Sequence, residues 1–105
     1  MDSQVKVNGY RIELGDLEAN LRALPEIADA VVLPVMKETR IDSLAAVVVL
    51  AGEKKGSDFE AAAQLKKSLA ERLPAYMIPR KFKFVDAFPM TANGKADRRK
   101  LAELI

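Results

Sequence analysis

Two apolar runs, AVVLPV at Ala30–Val35 and LAAVVVL at Leu44–Leu50, constrain what this 105-residue chain can become more than any other feature. Both are rich in valine, whose branched Cβ packs well on a pleated surface and is stiff in a helix. Both are short and uninterrupted, so they read as strands at the centre of a sheet. The polar segment Lys37–Ser43 between them predicts a turn and antiparallel pairing. Pro34 offers no N–H to a ladder, which places it at an edge or a bulge.

The residues around these runs supply the other layers. Gln4–Val7 and Tyr10–Leu14 alternate polar and apolar on either side of Asn8-Gly9, a hairpin pattern. Leu14, Leu17, Leu21 and Leu24 recur at helical spacing, with Asp16 and Glu18 near the start and Pro25 at the end, so a helix is predicted over Asp16–Leu24. Ser57–Glu60 has the S-x-x-E form of a capping box, and Phe59, Ala62, Leu65, Leu69 and Leu73 follow as the buried stripe of a longer helix stopped by Pro74. After a connector at Ala75–Pro79, Lys81–Val85 (KFKFV) alternates strictly and is predicted as a third central strand, with Lys81 and Lys83 on its solvent face. Pro89–Lys95 (PMTANGK) is a loop turning at Asn93-Gly94, and Asp97 can cap a last helix that buries Leu101, Leu104 and Ile105. This order predicts one α+β domain: a small, mostly antiparallel three-stranded sheet with an N-terminal β-hairpin and helices packed on it.

Composition narrows the chemistry. The chain has no Cys and no His, which excludes disulfides, thiol nucleophiles, the usual neutral-pH base and the commonest metal ligand. Reactive groups must come from Lys, Arg, Asp, Glu, Tyr, Ser or Thr. The net charge is only +2, with acids and bases interspersed, and aromatics are few, so nucleic-acid binding starts as a weak reading. No apolar run reaches the ~20 residues of a membrane span. The opening MDSQVKVNG has no apolar signal segment, so a cytoplasmic location is the default expectation.

Three features could carry function. Lys95 directly follows Gly94 at the end of a turn, where the backbone is expected to bend freely and a long cationic side chain can reach a phosphate or carboxylate. A lysine in a basic turn is, however, most often simply solvated. Gly9 suits a positive φ or the close approach of another backbone, and equally a plain hairpin turn. The basic run Arg98, Arg99, Lys100 could meet phosphates or an acidic partner, or be a solvated helix face, and the same holds for Arg80, Lys81 and Lys83.

Two long stretches carry a resemblance. DSQVKVNGYRIELGDLE at 2–18 is similar to the segment that opens the C-terminal domain of the adenylate-forming enzymes. LPAYMIPRKFKFVDAFPMTANGKADRRKL at 73–101 resembles the segment that closes it, ending in P-x-T-x-N-G-K-x-D-R. That superfamily includes acyl-coenzyme A synthetases, luciferases and nonribosomal peptide synthetase adenylation domains. The wording LPAYMIPRKFKF with MTANGK most resembles the branch that activates D-alanine for esterification of Gram-positive teichoic acids, and peptide-synthetase domains share much of it.

The resemblance implies an ATP-dependent, two-step reaction. A carboxylate attacks the α-phosphate of ATP, giving an acyl-adenylate and pyrophosphate; the phosphopantetheine thiol of a carrier protein then attacks the acyl carbon, giving a thioester and AMP. Carried over residue by residue, Lys95 would contact ATP and the acyl-adenylate as the catalytic lysine, Gly9 would approach the pantetheine, and Asp2 would be the hinge; Arg11 and Glu13, in the opening motif, are expected to be structural. The implied partners are a large N-terminal adenylation domain, a phosphopantetheinylated carrier protein and a small amino acid, with no nucleic acid and no membrane span. The large domain would hold most of the nucleotide pocket and Mg2+. It is absent from this chain, as is the Gly-Arg-x-Asp that normally precedes the opening motif, where Met1 stands; the chain alone is expected to be inactive. The alternatives are a peptide-synthetase adenylation fragment and a non-catalytic module that docks a carrier protein.

Overall fold

A computed structural model describes residues 4–7, 9–54 and 56–104. In chain order the elements are β1 (Gln4–Val7), β2 (Tyr10–Glu13), α1 (Leu14–Arg22), β3 (Ile27–Lys37), β4 (Arg40–Leu50), α2 (Asp58–Ala70), a short 3₁₀ turn (Ala75–Met77), β5 (Lys81–Phe84) and α3 (Arg98–Ala102). The α+β class, the N-terminal hairpin and the three-stranded sheet are as the sequence predicts.

The sheet has the order β3-β4-β5. β3 and β4 pair antiparallel, with Val31 opposite Val47 and Leu33 opposite Ala45. β5 lies against the other side of β4 in parallel, with Val47 opposite Lys83. Parallel neighbours need a crossover, which α2 provides. β5 is therefore an edge strand and not the central one expected; β4 alone has a partner on both sides. Pro34 lies in β3, the opposite edge, beside a register shift between Val35 and Met36.

The two apolar runs are continuous because both faces of the sheet are covered. Ala30, Val32, Leu44, Ala46 and Val48 face a cluster with Leu17 and Leu21 of α1, Leu65 and Leu69 of α2, and Val7 and Ile12 of the hairpin. Val31, Leu33 and Val47 face the other way, onto Leu101, Phe88, Ala96 and Val85. Even and odd positions thus serve two separate clusters, as the pleat requires.

Several boundaries and stripes differ from expectation. α1 begins at Leu14, directly from β2, with Glu13 as N-cap and no side-chain cap bond. Phe59, expected on the buried face of α2, is 83 % exposed, because the first turn projects away from the core and burial begins only at Ala61. In the S-x-x-E segment Ser57 Oγ accepts from the Glu60 N–H at 3.2 Å, while the Glu60 carboxylate faces the Ser57 hydroxyl rather than its backbone N–H. Leu104, expected to be buried, is exposed because α3 ends at Ala102; Ile105 lies outside the described residues. No helix among the described residues is long and apolar enough to cross a membrane.

Candidate functional site

The segment from Val85 to Leu101 crosses the second face of the sheet and carries Lys95 at its turn. Phe88 anchors the approach and Ala96 and Leu101 anchor the return, all against Val31, Leu33 and Val47. Between these anchors the chain forms a small hairpin. Met90 bridges Ala96 in antiparallel fashion. The Thr91 N–H donates to the Lys95 carbonyl at 2.7 Å, the Gly94 N–H to the Thr91 carbonyl at 3.0 Å, and the Asp97 N–H to the Pro89 carbonyl at 2.7 Å. The Thr91 hydroxyl also accepts from the Lys95 N–H at 3.4 Å.

Gly94 takes φ +79°, which closes a three-residue loop and which any L side chain would disfavour. The backbone at Lys95 is consequently held, not free to bend as the glycine alone suggested. The Lys95 side chain is exposed, and among the described residues it enters no ion pair. The result is an ammonium group on a long flexible stem rising from a fixed turn, available to an anion brought from outside the chain.

Gly9 is placed elsewhere. It is exposed at the β1–β2 turn with φ +85°, and a Cβ there would meet nothing within 4 Å. The neighbouring Tyr10 ring stacks on Tyr76, with centroids 4.1 Å apart and planes 11° from parallel, and both rings remain partly in solvent. The hairpin packs in the cluster on the helical face and the Lys95 turn in the cluster on the other. The structure therefore does not bring Gly9 and Lys95 together; they belong to opposite faces. Asp2 lies outside the described residues. Of the expected structural pair in the opening motif, Arg11 is exposed and Glu13 half-buried, paired in register with Lys6 and Gln4.

Sequence reasoning missed one group. Glu18 is buried within the apolar stripe of α1, between Leu17 and Leu21. One of its carboxylate oxygens accepts from the Val32 N–H at 2.8 Å. The Arg98 guanidinium grips the same carboxylate, Nη2 donating to Oε1 at 3.1 Å and Nη1 lying 3.0 Å from Oε2, and it also donates to the Val32 carbonyl at 3.3 Å. Arg22 pairs with Asp29 at 2.8 Å and donates to the Ala30 carbonyl at 3.0 Å, while the Asp29 carboxylate accepts from the Ala30 N–H. The outward backbone groups of Ala30 and Val32, on the edge strand β3, are thus all satisfied by side chains, which blocks pairing along that part of the edge. Arg98 is exposed like Arg99 and Lys100, but its guanidinium is turned onto these partners rather than left free in the basic run. The signal available was an acid on a helix's buried stripe, which demands a partner. The Asp97 side chain accepts from the Lys100 N–H at 3.2 Å and caps α3 as expected. Among the described residues no group of three or more acidic side chains could hold a metal ion.

The fold is thus a small α+β layer with Lys95 exposed on a hairpin pinned to one face of the sheet. The chain belongs to the family of AMP-binding enzyme C-terminal domains, whose pattern matches residues 16–95. At the level of single proteins it is similar to the D-alanine--D-alanyl carrier protein ligase of Bacillus anthracis, with 46% identity over 101 residues, 96% of this chain and 20% of that protein. The protein of the same name from Bacillus mycoides strain KBAB4 is 48% identical over the same shares. The chain thus spans about a fifth of the length of these curated relatives. Among solved structures, the amide bond synthetase McbA from Marinactinospora thermotolerans shares the fold, with TM-score 0.84 at 23% identity over 99% of this chain and 20% of that one. An acyl-CoA synthetase from Brucella canis superposes with TM-score 0.81 at 30% identity over 99% of this chain and 19% of its own. Klebsiella oxytoca NpsA, in complex with 3-hydroxyanthranilyl-AMSN, does so with TM-score 0.80 at 32% identity over 97% and 19%.

Proposed function

We propose that this chain is the mobile C-terminal lid of a larger ATP-dependent, AMP-forming ligase, which adenylates D-alanine and transfers it to the phosphopantetheine thiol of a carrier protein. The observation that carries the reading is the Lys95 ammonium, held out from a fixed turn without an ion-pair partner among the described residues. The relatives named as D-alanine--D-alanyl carrier protein ligases support the choice of substrate and carrier.

In the first step a carboxylate oxygen attacks the α-phosphorus of ATP, the acyl–phosphate bond forms, and pyrophosphate leaves. Two anions must approach, and charge accumulates on phosphoryl oxygens in the transition state. A cation pre-positioned there lowers the barrier without reorganising at the moment of reaction. Lys95 supplies that cation to a pocket in the large N-terminal domain. The Mg2+ that accompanies ATP would be held mainly by the large domain, and this chain's own contribution is the lysine.

In the second step the thiol sulfur attacks the acyl carbon and AMP departs. Gly9 then serves as a side-chain-free turn past which the pantetheine arm runs. The placement of Gly9 and Lys95 on opposite faces of one sheet supports a lid that presents a different face for each step, with Asp2 as the hinge. The direct test is ATP–pyrophosphate exchange by the full-length enzyme with D-alanine, L-alanine and a panel of other amino acids. Exchange strongest with D-alanine supports the reading. A clear preference for another acid removes the substrate assignment, and no exchange with any of them removes the ligase.

A further inference from the structure

We propose that Arg98 is a positioning residue for Lys95: its two-pronged grip on the buried Glu18 carboxylate and the Val32 carbonyl fixes where the lysine turn stands relative to the sheet. This rests on the catalytic reading of Lys95 and deepens it. Only Ala96 and Asp97 separate the two residues, and both are held. Ala96 bridges Met90 and packs on the second cluster, while Asp97 bonds the Pro89 carbonyl and caps α3. Lys95, the hairpin and the first residue of α3 therefore move as one piece.

Something must set the position of that piece on the sheet. α3 has five residues and buries only Leu101. Apolar contact resists lifting, but it is non-directional and resists sliding or rotation poorly. A planar guanidinium has direction: here Nη2 donates to the Glu18 carboxylate and Nη1 to the Val32 carbonyl, two hydrogen bonds from one rigid group to two separate acceptors. Here the carboxylate is itself tied to the Val32 N–H, and Val32 is paired opposite Ala46 of the central strand. The line of fixed contacts runs from β4 through Val32 and Glu18 to Arg98, and from there to Lys95. Arg98 spans 80 residues of sequence to reach Glu18, which ties the last helix to the first. A lysine could satisfy the charge but not this two-acceptor geometry.

The test has two arms. In this chain, amide hydrogen exchange is followed at Thr91 and Asp97, whose N–H groups bond within the lysine turn, with Ala46 and Val48 of β4 as the control for the fold. Arg98→Ala is expected to speed exchange at Thr91 and Asp97 by about tenfold or more while the β4 amides stay protected, with Arg98→Lys intermediate. In the full-length enzyme the same variants are expected to lower kcat for adenylation by roughly 10- to 100-fold, the scale of an ångström misplacement. KM for the amino acid and for ATP should stay nearly constant, as should thioester formation from preformed acyl-adenylate. A purely structural role would instead lower both half-reactions together. Unchanged exchange at Thr91 and Asp97 in Arg98→Ala overturns the proposal. So does a loosened turn with full adenylation, or loss of β4 protection in both variants. Lys95→Ala is measured alongside: if it adenylates normally, the catalytic reading of Lys95 fails, whereas the exchange arm still reports whether Arg98 holds the turn.

Discussion

Replacing Glu18 with alanine should destabilise this domain far more than an acid on a surface helix would lead one to expect. The side chain is only 6 % exposed and is the acceptor for the Val32 N–H at 2.8 Å. Removing it leaves that buried donor unmatched, at a cost of about 1–3 kcal/mol. The bond to Arg98 is lost as well; because the Arg98 side chain is 51 % exposed, solvent screens it and its share is about 1 kcal/mol. Loss of a buried methylene adds about 0.8 kcal/mol. The expected loss is therefore roughly 3–5 kcal/mol out of the ~5–15 kcal/mol typical of a domain this size. Glu18→Gln keeps an oxygen for Val32 and should lose only about 1–2 kcal/mol. Arg22→Ala, which breaks a half-exposed pair with Asp29 and a bond to the Ala30 carbonyl that water can replace, should lose about 1 kcal/mol, well below Glu18→Ala. Urea titration followed by circular dichroism, with the slope checked for constancy, reads all three. A Glu18→Ala protein that unfolds within about 1 kcal/mol of the parent, or a Glu18→Gln protein as damaged as Glu18→Ala, would mean that the buried carboxylate does not stabilise the fold through these bonds.

Other expectations concern the two turns. Gly94→Ala forces an L residue to φ +79° with no steric neighbour, so its cost is purely conformational: about 1–2 kcal/mol in the same titration, with adenylation by the full-length enzyme reduced because the Lys95 register shifts. Gly9→Ala should lose a similar ~1–2 kcal/mol in this chain. In the full-length enzyme it should slow thioester formation while pyrophosphate exchange persists; equal loss in both assays would count against a role for Gly9 confined to the second step.

How much could be read in the sequence depended on how local each signal was. The hairpin, the two valine-rich strands and the cap at Asp97 were legible because turn chemistry, β-branching and capping act within a few residues. The apolar runs also announced burial, and the structure supplies the reason: alternate residues enter two different clusters. The parallel placement of β5 was not legible, since KFKFV alternates equally well at an edge or in the middle. Phe59 and Leu104 fitted helical stripes that extend beyond the surface covering them, and periodicity cannot say where a core ends. Lys95 stands out in the sequence as a candidate by its setting in a motif, but its fixed backbone is hidden there, because Gly94 signals freedom and only the bonds from Thr91 and Asp97 reveal constraint. The Glu18–Arg98 contact joins opposite ends of the chain, so each partner looked like an ordinary surface charge.

The proposed role of the Lys95 ammonium, delivered by this domain, is to stabilise the adenylation transition state. It is tested most directly by separating the two half-reactions in full-length enzyme carrying Lys95→Ala. The expected result is a loss of D-alanine-dependent pyrophosphate exchange on the order of 10²–10³-fold or more, with thioester formation from supplied D-alanyl-adenylate nearly intact. Pyrophosphate exchange at the parental rate in that variant would contradict it.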